Sequence, residues 1–413
     1  MYFKKLLEFF KNVFVRFVIW CLPVYHFVLV CTLRHKKKIN VVFFAMSLSM
    51  WRYQHLYEEM LKYSKFNPTI VIYPPLSYDI GQKQREIAKL MEYFDNSNIS
   101  SYVLGDNNIR RQLKPDILFY PQPYPDFYPE DVSFKQFYDR LLCYSPYAFW
   151  MSKGGWSYNQ PLHIFAWKLF YPNLFHKNDA RVFSIRMGRN MEIVGYPTAD
   201  DFLSGNYTDI WRKQTVRKKR VIWAPHFTIF SGGYVKQSTF IQFSEFMLGL
   251  AQKYSDQLQF VFKPHPRLYS ELCKHPDWGE EKARQYYEQW ETMGNTQVET
   301  GEFVDLFMTS DAMIHDCGSF AVEYHYTENP VMYIAQNFEE QVAEKNDFGK
   351  LAMKLHYVGK CKEDIVEFIE NVILRGEDHM KPQRQQFKRE YLLPPNGKTV
   401  AENTMDVFLK AFC

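Results

Sequence analysis

The chain has 413 residues, 46% hydrophobic and 23% charged, which is enough apolar material for two packed cores and too much for a disordered polymer. A formal net charge of only +4 lacks the strongly basic face of nucleic-acid binders, so no nucleic-acid partner is expected. Seven cysteines, at 21, 31, 143, 273, 317, 361 and 413, are scattered without a CxxC pair; this reads as reduced cytosolic thiols and speaks against a disulfide frame or a zinc site.

Residues 1–38 stand apart. An apolar, aromatic stretch from Phe17 to Leu33 is interrupted by Pro23 and His26, preceded by Arg16 and followed by Arg34-His35-Lys36-Lys37-Lys38. A spanning helix needs about 20 apolar residues, so the stretch is borderline for crossing a bilayer. No small-residue cleavage site follows it. Basic flanks suit a segment lying against an anionic leaflet, with the following domain on the cytoplasmic face of the membrane.

From residue 39 onward, short apolar runs alternate with amphipathic segments. Strands are expected at 39–46, 68–74, 100–105 and 115–121, and helices at 52–64 and 82–94. The region 121–190 is rich in Tyr, Pro and Trp; helical spacing is read at 161–171 and 178–188. A polar run at 204–220 marks a linker. The alternation then restarts, with strands at 221–225, 258–264, 296–300, 312–316, 330–335 and 354–359, helices at 238–253, 320–327 and 362–374, and further helices within 266–292. The expected architecture is α/β: two Rossmann-like domains, 39–203 and 220–379, each built on a parallel sheet, with 380–413 helical and packing back toward the first. Ligands of such sheets bind beyond the carboxyl ends of the strands, so strand ends in the second half are the places to look.

Three of them carry chemistry. In "VIWAPHFTIFSGGY" (221–234), Pro225 ends the strand, His226 follows, and Gly232-Gly233 gives a loop open to close backbone approach. In "FVFKPHPRL" (260–268), Pro264 and Pro266 restrict Lys263 and His265 to extended geometry, which fixes the direction of a cation and an imidazole, both suited to phosphate oxygens. The plainer alternative is a rigid turn with solvent-facing charges. In "DAMIHDCGSFAVEYHYTENPVMYI" (311–334), a strand runs into Asp316-Cys317-Gly318-Ser319 and a helix. Ser319 is a natural N-cap, and the amides at 318–320 form an anion seat. Glu323 lies one turn above. A capping box would place its acid at 322, which is Val, so capping does not explain Glu323, and its carboxylate is placed to accept the hydroxyls of a ribose; the plainer alternative is a surface Glu on an ordinary crossover helix.

A strand running into Lys-x-His-Pro, then a strand running into Asp-x-x-Ser and an acidic helix, resembles the carboxyl-terminal half of the CDP-glycerol glycerophosphotransferase family, the teichoic-acid primases and polymerases. The likeness covers 218–335 in detail and 39–200 in architecture, including "VGYPTADDF" (194–202) in place of the family's Gly-x-Pro-x-x-Asp stretch. It implies the two-domain GT-B glycosyltransferase fold, with domains facing across a cleft, and a peripheral membrane protein. It further implies that His265 is a catalytic or phosphate-contacting histidine, that Ser319 and its neighbours Asp316, Gly318 and Phe320 hold the donor pyrophosphate with Lys263, and that Glu323 replaces the family's acidic helix residue. The family's Trp-His-Gly-Thr stretch is absent; "YSPYAFWMSKGGW" (144–156) lies there without a histidine, and His226 is the candidate to replace it.

The expected activity is transfer of glycerol- or ribitol-phosphate from a CDP donor to a hydroxyl of a lipid-linked or cell-surface polysaccharide precursor, with His226 or His265 as base, no bound metal and no cofactor. Two alternatives stand beside it: a glycosyltransferase of the same fold using a UDP- or CMP-activated sugar, and a non-catalytic membrane-bound scaffold of a polysaccharide-synthesis complex. The donor, a lipid-linked or polysaccharide acceptor and the inner membrane surface are the expected partners.

Overall fold

The computed structural model describes residues 2–99, 102–104, 108–230 and 238–413; for 2–15 and 102–104 it describes the backbone. The chain divides into two compact units, one of residues 1–150, 154–200 and 393–413, the other of 151–153 and 201–392.

The first unit is built on a parallel sheet of seven strands: β1 (Ile39–Ala45), β2 (Phe66–Ile72), β3 (Tyr102–Leu104), β4 (Ile117–Tyr120), β5 (Leu141–Tyr144), β6 (Lys168–Tyr171) and β7 (Met191–Ile193), in the order β3-β2-β1-β4-β5-β6-β7. The strands β1, β4 and β5 are buried along most of their length, which is why they read as continuous apolar runs rather than as alternation. One face of the sheet packs aromatics in register: Phe43 stacks on Phe119 at 4.7 Å, and Phe119 and Phe170 stack on Phe408 at 5.8 and 6.1 Å. Phe408 belongs to the helix Val400–Phe412, which returns to this unit from the far end of the chain.

Two helices read from spacing are corrected here. The helix expected over 161–171 ends at Phe165, and residues 168–171 form β6. Ala166 turns extended, and the Trp167 amide donates to Leu142 O at 2.8 Å, so the ladder of β5 captures the chain. The helix expected over 178–188 lies at Leu174–Phe183, capped by Asn173, and positive φ at Met187 and Gly188 turns the chain into β7.

A continuous helix, Tyr2–Arg34, passes through Pro23 and lies on this unit. Its Arg16–Arg34 portion, of mean hydropathy 1.7, is long and apolar enough to cross a membrane by length and composition.

The second unit carries six parallel strands, β8 (Lys219–Ala224), β9 (Leu258–Phe262), β10 (Thr296–Val298), β11 (Ala312–His315), β12 (Val331–Ile334) and β13 (Tyr357–Gly359), in the order β10-β9-β8-β11-β12-β13. Its core stacks Trp223 on Phe262 at 5.0 Å and on Phe240 at 5.6 Å, with Tyr286 and Trp290 packed behind. The high aromatic content thus goes largely into sheet-covering layers in both units. The strand order reverses between β8 and β11: the chain leaves β8 to build outward through β9 and β10, then returns to the other side. That switch point opens a crevice at the carboxyl edge of the sheet.

Candidate functional site

Register brings three loops to that crevice. Trp223 pairs with Phe262 and Ala224 with His315, so β8, β9 and β11 end nearly level. The backbone ladder continues one step past the strands: Lys263 N donates to Trp223 O at 2.8 Å and His265 N to Pro225 O at 3.1 Å. The prolines after β8 and β9 then turn the chain out of the sheet.

His226 and His265 meet here. Their rings stand 5.0 Å apart at a steep angle, and Phe227 packs against both at 4.4 Å. The His265 Nδ1 accepts the Arg267 amide at 3.1 Å. The His226 Nδ1 lies 2.9 Å from Thr228 Oγ1. Burial pushes both imidazoles down, His226 to about 4 and His265 to about 3, with the Arg267 charge adding to each and His226 to His265. Both rings are neutral at physiological pH.

Asp316, at the end of β11, fastens this corner. It is 1% exposed; its Oδ1 accepts the His226 amide at 2.5 Å, and its Oδ2 accepts the Thr239 amide at 2.5 Å and the Thr239 hydroxyl at 2.9 Å. One carboxylate therefore ties the loop after β8 and the start of helix Phe240–Lys253 to β11. Burial raises its pKa to about 6 against the pull of those hydrogen bonds.

Beyond Asp316 the chain emerges. Cys317 is buried, Gly318 and Phe320 are half-buried, and Ser319 is exposed. Ser319 takes the N-cap position with helical φ and ψ and makes no side-chain cap. The α-helix it begins runs only Phe320–Glu323 before tightening into a 3₁₀ turn at Tyr324–Thr327, so an anion here would meet local amides rather than a long helix dipole. Glu323 is 3% exposed, on the inner side of that turn.

Lys263 goes elsewhere. The residue is 5% exposed and its ammonium donates to Gly301 O at 2.8 Å, fastening the loop after β10; burial lowers its pKa to about 8, partly offset by Glu299 and Glu302. The exposed cation at the histidine pair is Arg267, which sequence reasoning passed over. Its guanidinium lies 4.2 Å from the Phe227 ring centroid. The signal was present in "KPHPR": two residues past His265, a side chain leaves the turn on the same side. Gly232 and Gly233 lie outside the described residues. Among the described residues no group of three His, Cys, Asp or Glu side chains converges as metal ligands would.

Residues 170–406, more than half of the chain, match the family model for CDP-Glycerol:Poly(glycerophosphate) glycerophosphotransferase. No curated protein matches the chain by sequence. Among solved structures, a UDP-GlcNAc 2-epimerase from Neisseria meningitidis bound to UDP-GlcNAc is 14% identical, over 90% of this chain and 100% of the other, with a TM-score of 0.55. A histidine-to-asparagine variant of the wall teichoic acid polymerase TagF is 13% identical over 99% and 97%, with a TM-score of 0.58. The same variant soaked with CDPG gives 13%, 99%, 97% and 0.57. At such identities the likeness establishes the fold, that of the GT-B type.

Proposed function

This chain belongs to the CDP-glycerol:poly(glycerophosphate) glycerophosphotransferase family, and from that premise we propose that it transfers an alditol phosphate, glycerol- or ribitol-phosphate, from a CDP-activated donor to a hydroxyl of a lipid-linked or cell-surface polysaccharide precursor and releases CMP. The supporting observation is the pair of neutral imidazoles at 5.0 Å, beside the loop of β11 that ends in an exposed Ser319. The soak of TagF with CDPG supports the same donor class. The apolar helix Arg16–Arg34 supports work at the cytoplasmic face of a membrane, where a lipid-linked acceptor would be found.

In this scheme the acceptor oxygen attacks the phosphorus that carries the alditol, the bond from that phosphorus to the CMP oxygen breaks, and the hydroxyl proton passes to an imidazole. Phosphoryl transfer of this kind depends on positioning and charge stabilisation more than on covalent chemistry. Hydrogen bonding divides the two histidines. Because His265 Nδ1 accepts the Arg267 amide, the neutral ring carries its proton on Nε2 and donates to a phosphoryl oxygen. The His226 Nδ1 meets both the Thr228 amide, which donates to it at 3.4 Å, and the Thr228 hydroxyl at 2.9 Å; a proton on Nδ1 gives up the longer bond and donates to the hydroxyl oxygen, a choice His265 lacks, and frees the Nε2 lone pair for the acceptor proton. His226 is then the base and His265 the stabiliser. Arg267 and the amides of Gly318 and Ser319 offset pyrophosphate charge, while the Phe320 amide donates to Cys317 O at 3.3 Å and holds the turn; Asp316 positions His226, and Lys263 and Glu323 support the loops on either side.

A donor panel of CDP-glycerol, CDP-ribitol and UDP-sugars, scored for the nucleotide liberated, tests the reading. CMP from a CDP-alditol is the expected product. UDP from a UDP-sugar would make the chain a sugar transferase, and silence with every donor would make it a scaffold.

A further inference from the structure

The helix Tyr2–Arg34 has two apolar faces. Ile19, Leu22, His26, Val30 and Leu33, spaced three and four apart, are each less than 10% exposed and seat the helix on the first unit. On the other side Phe17, Trp20, Val24, Phe27 and Val28 form a stripe, each more than half exposed. Exposed apolar side chains aligned along a helix mark a contact surface.

Beside this helix lies a cavity of about 750 Å³, walled by Phe27 and Val30 and floored by Lys168, Arg186, Arg189 and Lys410. Two acids also line it, and both are taken: Glu192 pairs with Lys168, and Asp406 pairs with Lys398 at 2.6 Å. Arg186, Arg189 and Lys410 have no carboxylate within ion-pair distance among the described residues. Arg186 is the telling one. It is 6% exposed, and among the described residues its guanidinium makes one hydrogen bond, from Nη1 to Ile164 O at 2.7 Å. Burial and the neighbouring Arg189 lower its pKa. A buried cation is kept at such cost when an anion completes its shell. A guanidinium fork beside two further cations matches the oxygens of a phosphate.

Phe27 belongs to both features: it lines the cavity and stands in the exposed stripe. A ligand that fills both has an anionic head and a hydrocarbon tail. We propose that this cavity seats the phosphate of an anionic membrane lipid, with Arg186, Arg189 and Lys410 on the phosphate oxygens and the acyl chains leaving past Phe27 along the exposed stripe. The inference rests on the membrane part of the preceding reading and is independent of the donor.

The test is flotation of the full chain with phosphatidylcholine vesicles, with and without about 30 mol% phosphatidylglycerol, where each lost cation near the surface is worth about fivefold in affinity. Reversing charge at the exposed rim, R189E with K410E, is expected to raise the lipid concentration for half-binding to anionic vesicles at least tenfold, to leave binding to phosphatidylcholine unchanged because the stripe is intact, and to leave the heat of CDP-glycerol binding unchanged. Thermal shift with dihexanoyl phosphatidylglycerol, glycerol 3-phosphate and inorganic phosphate separates the sources. A saturable rise in Tm with the short-chain lipid, lost in R189E/K410E and in Arg186→Met, supports the proposal. Equal rises with inorganic phosphate would assign the cavity to a free anion and overturn the lipid. Wild-type binding of anionic vesicles by R189E/K410E would overturn the cavity altogether. Because Arg189 and Lys410 lie at the surface, the outcome does not depend on whether Arg186→Met folds.

Discussion

Replacing Asp316 by asparagine should separate stability from catalysis. At neutral pH the wild-type carboxylate is ionised in a site that favours the neutral carboxyl, since its pKa moves from 3.8 to about 6; this costs folding about 3 kcal/mol. Asparagine removes that cost. It also loses a partner. Its amide oxygen is best placed toward Thr239, where two donors converge, which turns the NH₂ toward the His226 N–H. A buried donor left unsatisfied costs about 1–3 kcal/mol. The two effects nearly cancel, so D316N should melt within a few degrees of wild type in calorimetry. Catalysis should not survive so well. His226 loses the bond that fixes its loop, and a displacement on the order of 1 Å costs about 10²-fold; CMP release should fall by that factor in kcat with little change in donor KM. The pH dependence supplies the sharper check. A carboxyl with a raised folded-state pKa binds its proton more tightly on folding, so its contribution to stability rises as pH falls from about 6 toward 3.8. Over the same interval the protonated group holds the His226 amide less well, and activity declines. Subtracting D316N from wild type isolates Asp316 from the two histidines, whose lowered pKa values act on stability with the opposite sign. An acid limb that persists unchanged in D316N, or wild-type turnover in that variant, would refute the reasoning.

Three further outcomes are expected. His226→Ala should lower kcat by about 10²–10⁴-fold without rescue by glutamine, whereas His265→Gln, which keeps a donor near Nε2, should retain more activity than His265→Ala; steady-state CMP release compares the four. Lys263→Met should be as stable as wild type or more so near neutral pH. The wild-type ammonium, with its pKa lowered from 10.5 to about 8, gives stability that increases as pH rises through that interval, and urea midpoints on either side of about pH 8 should show the rise in wild type alone. Phe408→Ala empties a fully buried aromatic site between Phe119, Phe170 and Phe66 and should destabilise the first unit by about 3–5 kcal/mol in urea unfolding.

The second unit was the more legible in sequence because its strands end on punctuation: Pro225 after β8, Pro264 and Pro266 after β9, Asn329-Pro330 before β12. Between Phe165 and Lys168 no such residue intervenes, so an apolar aromatic run that is part helix and part strand reads as one helix. Nonlocal pairing decides it, beginning with the bond from Trp167 to Leu142 and continuing in the ladders of β6 with β5 and β7. The site shows the same division. That His226 and His265 leave the sheet together follows from strand ends visible in the sequence. The direction of Lys263 did not follow, because its partner is a backbone carbonyl 38 residues away, and residue type says nothing about that oxygen.

Gly195, at φ 106°, lies where a Cβ would come within 2.8 Å of Val400, and five residues on, the Asp200 carboxylate accepts the amides of Val400 and Ala401 at 2.7 and 3.0 Å. The Gly-x-Pro-x-x-Asp stretch is thus a latch awaiting a segment made two hundred residues later. Until residues 400–412 have been made, the aromatic sheet face that Phe408 and Phe412 cover stays bare. A nascent chain would present it to chaperones, and a stop codon placed just before residue 400 should yield an aggregating product even though every catalytic candidate has already been synthesised.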